Sequence, residues 1–168
     1  LSRGLGDVYK RQLKEYAPFS FTTEETGGII GNGDITMDWI VQVLKRTVDT
    51  QYRTKADRRH TFLAGSSMGG LMTLYGLLAY PEVFSRGAAL SPSLWIDAEK
   101  VKAMIRHARV KRNTVLYMDY GALEFADHPH SRSLFAEVSA LLIEKRVLLN
   151  SRIVPRGTHC EASWEKQI

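Results

Sequence analysis

The hydrophobic positions of this chain form short apolar runs that alternate with longer segments of helical spacing. Runs rich in apolar and β-branched residues predict buried parallel strands at 61–64, 87–90, 114–118 and 147–154. Apolar residues at helical spacing predict helices at 37–48, 71–78, 98–109 and 131–145. This alternation predicts an α/β fold with about four parallel strands and flanking helices.

A strand, a sharp turn and a helix are predicted to meet around residue 67. The segment TFLAGSSMGG at 61–70 fits the pattern G-x-S-x-G in only one register, which makes Ser67 its central residue. Such a turn requires small neighbours, because flanking Cβ atoms would clash with the strained backbone. A serine in this setting projects above the edge of a sheet as a nucleophile. A glycine-rich turn that happens to contain serines is the alternative.

A serine nucleophile requires a base to accept its proton and a carboxylate to orient that base. On this type of scaffold the acid and then the histidine follow the serine along the chain. Among the 5 histidines, only His159 lies in a turn just after the last predicted strand. His60 is expected at the wrong end of the strand that leads to Ser67, and His107 falls in a basic helix. We therefore predict that His159 is the base.

Two carboxylates after the predicted strand 114–118 compete for the role of the acid. Asp119 lies at the end of the strand, whereas Glu124 lies in the loop beyond it. The carboxylate must reach the outer nitrogen of His159 above the sheet, which favours the loop position. Glu124 is therefore preferred, with Asp119 as the alternative.

Several segments form an ordered set of motifs: AGSSMGGL at 64–71, ALSPSLW at 89–95, Gly121 followed by Glu124, and His159 followed by Trp164. KEYAP at 14–18 and VDTQYRT at 48–54 precede them. Together these motifs resemble the esterase D and enterochelin-esterase family of α/β-hydrolases, from about residue 13 to the C-terminus. The family usually has proline where this chain has Thr47, which affects a helix end and not the chemistry.

The resemblance implies the C-terminal part of an α/β-hydrolase fold and a serine enzyme that hydrolyses a small-molecule carboxylic ester without a cofactor. It implies Ser67 as nucleophile, Glu124 as acid and His159 as base, with Ser93 and Trp95 at the substrate. The N–H of the residue after the nucleophile, Met68, is expected to bind the oxyanion. An acyltransferase on the same scaffold and a non-catalytic binding module are the alternatives, and the acyl and alcohol groups stay open.

Composition narrows the classes of function. A length of 168 residues suits one domain, and Cys160 as the only cysteine excludes an internal disulfide. The net charge of +5 comes without a nucleic-acid-binding module, so no nucleic-acid partner is expected. No apolar run is long enough to cross a membrane, and a cytoplasmic location is favoured. His128 and His130 could suggest a metal, but without further ligands they predict a solvated loop and no metal site.

Residues 1–12 do not resemble the start of a protein, since they lack an initiator methionine, apolar periodicity and a signal-peptide core. We interpret them as non-native read-through and 13–168 as a partial α/β-hydrolase domain. The Gly-rich residues 25–34 are interpreted as a flexible loop. Because the resemblance implies a larger sheet, the strands before 61–64 are expected upstream, with the loop that carries a second oxyanion donor. The chain expressed alone is then expected to be poorly soluble and nearly inactive.

Overall fold

The structure is a computed structural model that describes residues 11–23, 27–127 and 130–167. Its described strands form a two-stranded antiparallel sheet and a four-stranded parallel sheet of order β3-β4-β5-β6. They are β1 (Phe21–Thr23), β2 (Gly27–Ile29), β3 (Phe62–Ser66), β4 (Arg86–Leu90), β5 (Val115–Gly121) and β6 (Leu148–Val154). The predicted α/β fold with four parallel strands is confirmed.

The helices flank the parallel sheet. Helix α1 consists of three consecutive segments, of which the middle one is π-helical: Gly33–Trp39, Ile40–Leu44 and Lys45–Gln51. The others are α2 (Met68–Ala79), α3 (Ala98–His107), α4 (Glu124–Asp127), α5 (Ser131–Glu144) and α6 (Glu161–Trp164). Residues 11–15 are also helical, and short 3-10 turns lie at Arg58–His60, Leu94–Ile96 and Glu165–Gln167.

Helix α2 is buried on nearly all sides, as its apolar sequence predicts. Small residues on β4 let this helix approach the sheet closely. A Cβ atom added at Gly87 would lie 3.0 Å from the Thr73 Cγ2 atom and 3.3 Å from the Leu116 Cδ1 atom. The fully buried Leu71, Leu74 and Leu116 belong to the hydrophobic core that results.

The parallel register aligns the carboxyl ends of the strands. Ser66 pairs with Leu90, Leu90 with Asp119, and Gly121 with Val154. The segments that follow these strands therefore begin at one edge of the sheet, which is where α/β folds bind ligands.

Several features differ from the sequence-based expectation. Strand β5 continues to Gly121, so Asp119 lies within it, and Glu124 is the first residue of helix α4 instead of a loop residue. The predicted loop 25–34 contains β2, which pairs with β1 in the register Phe21 to Ile29, and it also contains the start of α1. Such short glycine-containing strands lack the apolar alternation by which strands are recognised. Helix α3 ends at His107, two residues before the predicted end. No helix among the described residues has the length and apolar composition needed to cross a bilayer.

Candidate active site

Ser67 lies in a strained turn between β3 and α2. Its φ of 54° and ψ of −121° are rare for a residue with a side chain. Neighbouring backbone groups hold this conformation: Ser67 N donates to the Leu90 carbonyl oxygen at 2.9 Å, and Ser93 N and Leu71 N each donate to the Ser67 carbonyl oxygen at 3.1 Å. The turn is thereby fixed by the adjacent strand end as well as by its own helix.

The glycines around Ser67 have different roles. A Cβ atom at Gly65 would lie 2.5 Å from the carbonyl oxygen and 2.6 Å from the carbonyl carbon of Gly69, and backbone cannot move aside. A Cβ atom at Gly69 would meet nothing within 4 Å. Of these two glycines, Gly65 is therefore the one required by the close approach of the strand to the helix.

We expect Gly65→Ala to lower the free energy of unfolding by about 1–3 kcal/mol, because the added methyl group overpacks a rigid turn. Gly69→Ala is the matched control and should be neutral or stabilising by up to about 1 kcal/mol, since alanine favours helix. Urea unfolding of both variants measures the difference. Equal stability of the two variants would contradict this account of the turn.

Three side chains from separate segments form a continuous hydrogen-bonded row. The Ser67 Oγ atom lies 2.9 Å from His159 Nε2, and His159 Nδ1 lies 2.8 Å from Glu124 Oε2. Ser67 follows β3, Glu124 begins α4 after β5, and His159 precedes α6 after β6. The row thus depends on the alignment of three strand ends.

The Glu124 carboxylate is buried, with 5% exposure, and both of its oxygens are hydrogen-bonded. Its Oε1 atom accepts from the Ser91 hydroxyl at 2.6 Å and from Gly121 N at 2.8 Å, and its Oε2 atom faces His159. Burial acts to raise the pKa of Glu124, but the hydrogen bonds from His159, Ser91 and Gly121 together outweigh it and lower that pKa. The carboxylate is therefore held in its charged form.

The His159 ring is supported on one side and open on the other. Trp164 packs edge-to-face against it, with ring centroids 4.9 Å apart and an interplanar angle of 85°. The His159 side chain keeps 42% of its surface exposed, so water reaches the ring. The neighbouring Cys160 thiol contacts the hydroxyls of Thr158 at 3.2 Å and Ser163 at 3.7 Å.

The alternative acid, Asp119, has other partners. Its side chain is buried, with Oδ1 accepting from Ser91 N at 3.1 Å and Oδ2 accepting from the Tyr117 hydroxyl at 2.8 Å. Burial raises the pKa of Asp119. The structure brings Glu124, and not Asp119, to the Nδ1 atom of His159.

The other candidate histidines lie elsewhere. His60 Nδ1 lies 2.7 Å from the Asp57 carboxylate, before β3, and His107 Nδ1 lies 2.8 Å from the Ala103 carbonyl oxygen. His128 lies outside the described residues. Within the part of the chain that the structure describes, no three His, Cys, Asp or Glu side chains cluster as metal ligands.

A cavity of about 720 Å³ opens beside Ser67. Ser93 and Trp95, the predicted substrate-binding residues, lie in its wall, and the Ser93 Oγ atom is 3.3 Å from Ser67 Oγ. Ser93 is buried, whereas Trp95 is 39% exposed. Aromatic and apolar side chains complete much of the wall: Leu13, Tyr16, Tyr120, Leu123 and Trp164.

A family model described as "Putative esterase" matches residues 22–168. The chain belongs to this esterase family. A search of curated proteins found no match.

Solved structures of hydrolases share the fold of this esterase-family chain. An IroE-like serine hydrolase from Shewanella oneidensis has a TM-score of 0.75 and 20% identity, with 90% of this chain and 52% of that chain covered. The siderophore hydrolase EstA from Aspergillus nidulans has a TM-score of 0.68 and 20% identity, with 92% and 61% covered. The enterobactin esterase FES from Shigella flexneri has a TM-score of 0.61 and 24% identity, with 79% and 35% covered. The chain thus spans little more than half the length of the first two and about a third of the last.

Sequence reasoning missed two sets of residues at the site of this esterase-family chain. Tyr16 and Gln12 line the cavity although they lie far from Ser67 in sequence, and only chain folding brings them there. Tyr16 belongs to the KEYAP motif, for which no contact with the site was predicted. Ser91 lies in the motif ALSPSLW, for which only Ser93 and Trp95 were predicted to contact the substrate, whereas its hydroxyl donates to the buried Glu124 carboxylate. A polar residue directly after a predicted strand was the available signal for Ser91.

Proposed function

We propose that this chain carries the catalytic residues of a serine carboxylic-ester hydrolase, with Ser67 as nucleophile, His159 as base and Glu124 as acid. The observation that supports this most is the row of two short hydrogen bonds from the Ser67 hydroxyl through the imidazole to the buried carboxylate. This order of groups activates a hydroxyl that is otherwise a weak nucleophile. Membership in the esterase family supports the same reaction class.

In the first half of the reaction, Ser67 Oγ attacks the carbonyl carbon of the ester while its proton passes to His159 Nε2. The Nδ1–H group donates to Glu124, whose negative charge stabilises the imidazolium. Collapse of the tetrahedral intermediate breaks the bond to the alcohol, which leaves with the proton from Nε2. An acyl ester on Ser67 remains.

In the second half, His159 removes a proton from a water molecule, and the resulting hydroxyl attacks the acyl carbon. The bond to Ser67 then breaks, the serine recovers its proton from the imidazolium, and the carboxylic acid leaves. The His159 side chain is 42% exposed, so water can reach the ring.

The backbone N–H of Met68 is proposed to bind the oxyanion of both tetrahedral intermediates. Met68 is the first residue of α2, where amide groups lack partners within the helix and the helix dipole is positive. A donor at this point meets negative charge that develops only in the transition state.

We propose a small-molecule ester as substrate, because the cavity of about 720 Å³ falls in the size range of small-molecule sites. Ser93 and Trp95 are proposed to contact the substrate. Ser93 lies beside the Ser67 hydroxyl, and Trp95 is a partly exposed residue of the cavity wall. The matched structures include one named a siderophore hydrolase and one named an enterobactin esterase, which supports a substrate of this kind.

The test is covalent labelling by a fluorophosphonate, in which the serine oxygen bonds to phosphorus and fluoride leaves. We expect the folded chain to be labelled at Ser67, as located by peptide mass spectrometry. The urea-unfolded chain is the control and should stay unlabelled. A chain that is folded by circular dichroism yet unlabelled at Ser67 would overturn the proposal.

A further inference from the structure

Ser91 is a buried residue with an unusual backbone directly after β4. Its φ of 41° lies in the left-handed region, and 1% of its surface is exposed. The Ser91 amide is held by Asp119, because its N–H donates to both the carbonyl oxygen and the Oδ1 atom of that residue at 3.1 Å. A strained conformation that neighbouring groups impose is typical of a functional position.

The Ser91 hydroxyl links two residues of the site. Trp164 Nε1 donates to Ser91 Oγ at 3.0 Å, and Ser91 Oγ donates to Glu124 Oε1 at 2.6 Å. An indole N–H can only donate, so the hydroxyl must use its single proton elsewhere. The carboxylate oxygen is the acceptor within reach, which fixes the direction of the hydroxyl proton.

The same contacts set the orientation of the carboxylate. Oε1 receives two donors, the Ser91 hydroxyl and Gly121 N, so that Oε2 is left to face His159 Nδ1. Trp164 also packs against the His159 ring, and it therefore contacts both the histidine and the serine that holds its acid.

We propose that Ser91 is a positioning residue for ester hydrolysis, which fixes the Glu124 carboxylate against His159, and that Trp164 directs the Ser91 hydroxyl. The proposal rests on the proposed function, in which Glu124 orients His159. Ser91 itself contacts neither the nucleophile nor the substrate cavity among the described contacts.

The test compares two variants of Ser91, so that the effect of losing the hydroxyl can be distinguished from the effect of relieving the strained backbone. Ser91→Gly removes the hydroxyl and relieves the positive φ, whereas Ser91→Ala removes the hydroxyl and keeps the strain. Both should slow fluorophosphonate labelling about ten- to a hundred-fold, the range expected for a lost hydrogen bond to a charged group. Trp164→Phe keeps a ring beside His159 but removes the donor, and it should slow labelling by a smaller factor.

The matched control is Ser139→Ala. The Ser139 hydroxyl is also buried but has no hydrogen-bond partner among the residues that the structure describes, so its loss should leave labelling at the wild-type rate. Equal slowing in Ser139→Ala and Ser91→Gly would overturn the proposal, since a general packing effect would then explain both.

Two spectroscopic measurements test the contacts without turnover. In ¹³C NMR of labelled glutamate, the titration of Glu124 should move to higher pH in Ser91→Gly, because the charged carboxylate loses a donor. The indole N–H resonance of Trp164 should also shift, since it loses its acceptor. A folded Ser91→Gly variant with unchanged titration of Glu124 and an unchanged labelling rate would overturn the proposal.

The failure of the proposed function can be distinguished from the failure of this proposal. If the wild-type chain is never labelled, the proposed function fails, whereas the titration of Glu124 and the indole resonance of Trp164 still decide whether Ser91 holds Glu124.

Discussion

In the full-length protein, replacement of Ser67 by alanine should abolish ester hydrolysis while leaving the fold intact. The hydroxyl oxygen is the only non-hydrogen atom that this substitution removes, and it lies 2.9 Å from His159 Nε2. Loss of the nucleophile in a serine triad lowers turnover by about 10⁶-fold, so residual activity should be close to background. Steady-state hydrolysis of p-nitrophenyl acetate and fluorophosphonate labelling both measure the loss, and circular dichroism checks the fold.

The matched control is the neighbouring serine. Ser66 is the last residue of β3, and it precedes the bend that turns Ser67 toward His159. Ser66→Ala should keep activity within about tenfold of wild type. Ser66 also lines the cavity, but the described hydrogen bond to His159 Nε2 comes from the Ser67 hydroxyl. If Ser66→Ala lost more activity than Ser67→Ala, the assignment of the nucleophile would be wrong.

The turn at Ser67 could be predicted because its geometry is encoded locally. A strand that turns directly into a helix needs a small residue where the two backbones touch, and Gly65 occupies that point against Gly69. The apolar run of β3 and the buried helix α2 lie on either side in sequence. The residues of β3, the turn and α2 are consecutive in sequence, so the local pattern was sufficient to predict the turn at Ser67.

The surroundings of the acid could be predicted less well, because they depend on contacts distant in sequence. Ser91 and Glu124 are separated by 33 positions, and Ser91 and Trp164 by 73. The left-handed φ of Ser91 is unexpected for serine and depends on contacts with Asp119. Sequence order alone left Asp119 and Glu124 as competing acids, since both lie near the end of β5.

In the full-length protein, replacement of Glu124 by glutamine should lower ester hydrolysis by about 10⁴-fold, the loss seen when the acid of a serine triad becomes an amide. Glutamine keeps the size of the side chain, and its oxygen can still accept from Ser91 and Gly121 at the Oε1 position. Its amide group would then face His159 Nδ1 and donate to it. That contact favours the tautomer with a proton on Nε2, which cannot accept the proton of Ser67.

The same variant has a predictable effect on stability as pH changes. Because the pKa of Glu124 is lower in the folded chain than in the unfolded chain, its charge stabilises the fold above the ordinary glutamate pKa of about 4.3. This contribution is lost as pH falls through the folded pKa. The difference in free energy of unfolding between wild type and Glu124→Gln should therefore be larger at neutral pH and shrink in acid, as urea unfolding at several pH values would measure.

Asp119→Asn provides the comparison that decides between the two acids. Asparagine can keep an oxygen toward Ser91 N, and the Asp119 carboxylate makes its side-chain contacts with Ser91 and Tyr117. Loss of its charge should therefore reduce hydrolysis by less than about tenfold, through the Ser91 backbone alone. The rates of both variants should be measured over a range of pH values that includes the pH at which the wild type is most active. At that pH, Glu124→Gln should still favour the His159 tautomer that cannot accept the proton of Ser67. If Asp119→Asn lost more activity than Glu124→Gln, then Asp119 would be the acid, and the observed row from Ser67 to Glu124 would not be the one used in catalysis.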